Sequence, residues 1–128
     1  GGFVCVFAGI TKVPYHFTTA FSFLNESRKK QLAALLKESG NLPVYYTEDA
    51  EVYLKAGIMP DGGLMVAVFN LGFDMLDSIP LHFEKDVKSI SMLTSCGSLK
   101  NIDFTKEDGI VTVKEKAYTL EPVILYVY

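Results

Sequence analysis

Two periods of apolar residues divide this chain. From residue 26 to residue 39 the period is helical. Leu32, Leu35 and Leu36 form a stripe, with Lys30 and Lys37 among the polar positions. Asn25 is a fitting N-cap, Glu26 suits the positive end of the helix dipole, Gly40 is a natural stop and Pro43 prevents continuation. This predicts one helix over about residues 26–39. Ahead of it, Phe3, Val4, Cys5, Val6, Phe7 and Ala8 are apolar on both sides of a pleat, and Gly9 ends the run. Such strands are usually covered on both faces, as in the parallel sheet of an α/β domain. A loop with Pro14, Tyr15, His16, Phe17, Phe21 and Phe23 joins strand and helix.

After Pro43 the period becomes two. Val52, Leu54 and Ala56 point one way, and Glu51, Tyr53 and Lys55 the other. Pro60, Asp61, Gly62 and Gly63 read as a turn. Residues 64–69 are apolar on both faces, which predicts a central strand. Ile79, Leu81 and Phe83 alternate with Pro80 and His82, and Ile90 and Met92 with Ser89 and Ser91. Ile102 and Phe104 predict a short strand, and Asp108-Gly109 a hairpin turn into residues 110–114. Residues 120–128 close the chain, with Pro122 near the start of the run, where a lost N–H costs least. About seven short strands without an intervening helix predict an antiparallel sandwich or barrel. The fold class is therefore mainly β: an antiparallel sandwich preceded by one β-strand and one α-helix. Residues 1–43 form the β–α unit and residues 44–128 the sandwich. The expected core is Val52, Leu54, Val66, Val68, Leu81, Ile90, Val111, Leu125 and Val127. A lone β–α unit cannot bury its own apolar surface, so residues 1–43 read as the remnant of a larger α/β domain. Gly1-Gly2 directly before a strand reads as an artificial boundary in a longer chain.

Composition narrows the functions. Hydrophobic residues at 49% and charged residues at 21% fit a globular domain and argue against disorder. The net charge is −3, and the only basic cluster is Arg28-Lys29-Lys30, which argues against a nucleic-acid partner. No run approaches the ~18 apolar residues of a membrane span. Cys5 and Cys96 show no CxxC spacing, and a bridge between them is not expected. His16 and His82 lack a second His or Cys at ligand spacing, so no transition-metal site is expected. The carboxylates at Glu48, Asp49, Glu51, Asp74, Asp77, Glu107 and Asp108 sit in or beside loops, where solvation is the simplest reading. Neither GxSxG nor GxGxxG occurs. No residue is assigned a catalytic, cofactor-binding or metal role, and no cofactor is expected. Tyr45, Tyr46, Phe21 and Phe23 suit core or interdomain packing better than a sugar platform, since Trp is absent.

Several segments carry a resemblance. The run Val66-Ala67-Val68-Phe69-Asn70-Leu71-Gly72-Phe73-Asp74, then Ile79-Pro80-Leu81, and the ending Leu120-Glu121-Pro122-Val123-Ile124-Leu125-Tyr126-Val127 resemble the closing β-sandwich of bacterial glycoside hydrolases built on a (β/α)8 barrel. The stretch from Phe21 to Gln31, after the strand at residues 3–8, is similar to the last β–α unit of the middle domain in β-galactosidase-like enzymes. The resemblance implies a non-catalytic C-terminal accessory domain that packs on upstream domains of a glycoside hydrolase parent. The catalytic carboxylates of such enzymes lie on the barrel, and none is carried over here. A secreted or periplasmic parent is compatible with this, and no compartment is assigned. The alternatives are a carbohydrate-binding module, a protein-interaction sandwich unrelated to glycosidases, and, least favoured, a small independent hydrolase. Expected partners are the upstream domains, a second copy of the chain through residues 3–23, or a carbohydrate.

Overall fold

A computed structural model describes residues 26–38, 40 and 42–128. The chain divides into two units, Gly1–Leu42 and Pro43–Tyr128. Within the first, helix α1 spans Glu26–Glu38, in the place expected for the helix. Gly40 adopts φ +65°, the left-handed conformation that ends helices and that glycine reaches without Cβ strain. Leu32 and Leu35 are half-buried and Leu36 is exposed. The expected strand at residues 3–8, Cys5, and the aromatic loop with His16, Phe21 and Phe23 lie outside the described residues.

The second unit is mainly β, as the period of two predicts. Nine strands follow in order: β1 (Val44–Tyr46), β2 (Val52–Ile58), β3 (Leu64–Asn70), β4 (Ile79–Phe83), β5 (Ile90–Leu93), β6 (Leu99–Asn101), β7 (Phe104–Glu107), β8 (Ile110–Val113) and β9 (Val123–Val127). They form two antiparallel sheets, of order β1-β4-β8-β7 and β2-β3-β9-β5-β6. The chain crosses between sheets five times, and only β2–β3, β5–β6 and β7–β8 are hairpins. In the β7–β8 turn Asp108 and Gly109 take φ 50° and 79°, so both central residues are left-handed, as a two-residue turn matched to strand twist requires.

One face of each sheet supplies the core. Ile79, Leu81, Phe83, Val111 and Val113 from the four-stranded sheet meet Val66, Val68, Ile90, Leu125 and Val127 from the other. Seven of the nine expected core residues are fully covered. Val52 and Leu54 are only half-buried: among the described residues β2 is an edge strand, paired on one side with β3 alone. Ala56 on the same side is exposed. The short strand expected around Ile102 and Phe104 is two elements instead. Ile102 is a buried plug where the chain leaves β6 for β7, and β6 itself, with all three residues exposed, carries no apolar alternation to reveal it.

Pro80 lies inside the four-stranded sheet, where a proline would ordinarily cost a ladder bond. Its carbonyl accepts from Thr47 N–H at 3.2 Å, so its ring nitrogen faces the β1 side. There β1 has already ended, its last partner being Tyr46 opposite Leu81. The missing N–H therefore falls beyond the paired segment.

Candidate functional site

Three connections meet where β3 ends. The β3–β4 loop is tied to the β8–β9 segment by Asn70, the single buried polar side chain of the described residues, 1% exposed. Its Nδ2 donates to the carbonyls of Asp74 at 2.7 Å and Ala117 at 3.0 Å. Its Oδ1 accepts from Gly72 N–H at 3.0 Å, closing an Asx-type turn. Its own carbonyl accepts from Leu120 N–H at 3.1 Å. Around this centre, Thr119 Oγ1 donates to the carbonyl of Gly72 at 2.9 Å, and Leu76 and Ala117 exchange backbone bonds of 3.0 and 2.9 Å. Leu71 N–H donates to the carbonyl of Glu51 at 2.8 Å, which adds the β1–β2 loop to the cluster. These bonds tie the backbones of the three connections to one another.

Those side chains are apolar and outward. Leu71, Met75, Tyr118 and Leu120 are exposed, and Phe73 is exposed as completely as in an unfolded peptide, at 103%. A scattered exposed leucine needs no explanation, but here five large apolar side chains are exposed on two loops that are bonded to each other. Leu120 sharpens the point. It holds φ 64°, a left-handed conformation that costs a residue with a Cβ about 1–2 kcal/mol. Gly or Asn would relieve that strain at the loss of little buried surface, since Leu120 is 75% exposed. Folding alone gives no reason for leucine there.

The rim is acidic. Glu48, Asp49, Glu51, Asp74, Asp77 and Glu121 are all exposed on the three connections, against exposed Lys114 and Lys116. These carboxylates stay on the surface, as their loop positions predict. Glu107 and Asp108 are exposed as well, at the separate β7–β8 hairpin. No group of three or more His, Cys, Asp or Glu side chains placed to hold a metal occurs among the described residues.

The remaining candidates of the sequence are spread apart. His82 lies on the outer face of the four-stranded sheet, as alternation predicts, but it is half-buried rather than open. Tyr45 stacks on it with ring centroids 4.7 Å apart and planes 11° from parallel, and its Nδ1 is buried without a partner. Tyr46 turns inward and packs against the core, and its hydroxyl lies 3.5 Å from Glu48; burial, with the Glu48 charge second, raises its pKa. Cys96 is a free, exposed thiol at the tip of the β5–β6 hairpin, next to Gly97 at φ +81°. Its Sγ lies 3.2 Å from Ser98 Oγ and 3.0 Å from Thr94 Oγ1, and these hydrogen bonds lower its pKa to about 7. On the outer face of the five-stranded sheet, Tyr53 sits opposite Phe69 with centroids 5.9 Å apart.

Sequence alternation missed Asn70 and the patch. Asn70 stands at an inward position of an apolar strand, the one place where a polar residue demands partners. The run Leu71-Gly72-Phe73 then continues apolar past the end of the strand, which is the signal that an outward-facing apolar loop leaves in a sequence. No family model, curated protein or solved structure matches the chain.

Proposed function

We propose that this chain is a non-catalytic accessory sandwich that packs on another folded domain through the surface of Leu71, Phe73, Met75, Tyr118 and Leu120. The observation that carries the reading is Phe73: a fully exposed phenylalanine on a loop whose backbone is bonded to two other segments. Exposed aromatic anchors on rigid supports are the usual centres of protein interfaces. The resemblance of residues 66–74, 79–81 and 120–127 to the closing sandwich of (β/α)8-barrel glycoside hydrolases supports a glycosidase parent, with upstream domains as the partner. The acidic rim suits a receiving surface bordered by Lys or Arg, and such an interface assembles more slowly as salt rises.

The test mixes the purified chain with a glycosidase (β/α)8 barrel supplied as a separate polypeptide and measures association by calorimetry. The double variant Phe73→Ser, Leu120→Ser should keep the thermal midpoint of the parent and lose binding at least tenfold. Association of the variant equal to that of the parent would show that the patch is not the docking surface. Absence of binding by the unsubstituted chain to any such barrel would remove the glycosidase reading.

A second reading rests on a different observation, the exposed Tyr53 ring beside Phe69 on the outer face of the five-stranded sheet. Aromatic side chains on one sheet face are what a carbohydrate-binding module needs. Against it, the two rings are inclined by 43°, so they offer no common plane to a sugar chain. Titration with soluble cello- and xylo-oligosaccharides, followed by tyrosine fluorescence, discriminates: saturable quenching lost in Tyr53→Ala favours this reading over the first.

A further inference from the structure

We draw no further inference here: the strongest candidate, the apolar cavity of about 150 Å³ between the β2–β3 turn and the β4–β5 loop, walled by Ile58, Leu64, Phe83, Val87, Val127 and Tyr128, has nothing in the structure to show what would fill it.

Discussion

At the scale of single residues, Asn70 and Cys96 show how few polar atoms decide local behaviour. Asn70 uses both amide protons and its carbonyl oxygen, so replacing it by Ala leaves the Asp74 carbonyl and the Gly72 N–H without this partner, and the Ala117 carbonyl with only its bond from Leu76 N–H. Leaving such groups unpaired costs about 1–3 kcal/mol, so Asn70→Ala should lower the urea midpoint visibly. Asn70→Asp should be at least as harmful, since a carboxylate places negative charge against two carbonyl oxygens and has no proton to offer them. Equal stability of all three proteins would show that the loops are held by their backbone bonds alone. Cys96 predicts a kinetic titration. Its thiolate is stabilised by the Ser98 hydroxyl first and Thr94 second, so alkylation should reach half its maximal rate at about pH 7. The sign is fixed by the depressed pKa: the reactive thiolate persists above that pH and is lost as pH falls through it. Ser98→Ala should move the midpoint upward, towards that of an ordinary thiol. A midpoint for the intact protein already at the ordinary thiol value would contradict the geometry of the hairpin tip.

At the scale of elements, apolar pattern revealed the strands that carry a core face and concealed those that do not. β4 and β8 were legible because Ile79 and Leu81, and Val111 and Val113, recur every second residue, and β3 and β9 because their runs are apolar on both faces. β6 was not, since Leu99, Lys100 and Asn101 are all exposed and held by pairing with β5 alone. Alternation also cannot tell an edge strand from an inner one. Val52 and Leu54 alternate like the inward residues of an inner strand such as β4, yet β2 lies at the margin of its sheet among the described residues. The difference is measurable. Leu125→Ala opens a cavity in the interior and should cost about 2–5 kcal/mol. Leu54→Ala removes a half-buried side chain from the margin and should cost clearly less, because neighbours and solvent can occupy the space. Matching losses for the two would place β2 deeper than the sheet order allows.

At the scale of the whole molecule, the sandwich is made by crossing rather than by local pairing, and this is also why the candidate site was hidden from the sequence. Residues 70–76 and 117–120 are far apart in the chain, and no motif announces that they will bond. Local spacing reports what one strand does; it does not report which loops share an end of the sandwich. The Asn70 amide reaches Ala117 across 47 residues, and Thr119 reaches Gly72 across 47. Contacts of such separation must wait until most loop-closure entropy has been spent, so they form after the rate-limiting barrier unless they belong to the nucleus. The bonded loops should then act on the lifetime of the native state rather than on the speed of reaching it. In stopped-flow experiments Asn70→Ala should leave the refolding rate nearly unchanged and raise the unfolding rate, whereas slower refolding would put this knot of hydrogen bonds in the nucleus itself. One asparagine would thus set how long the molecule stays folded, a property that governs resistance to proteases and to heat and that an equilibrium measurement alone does not separate.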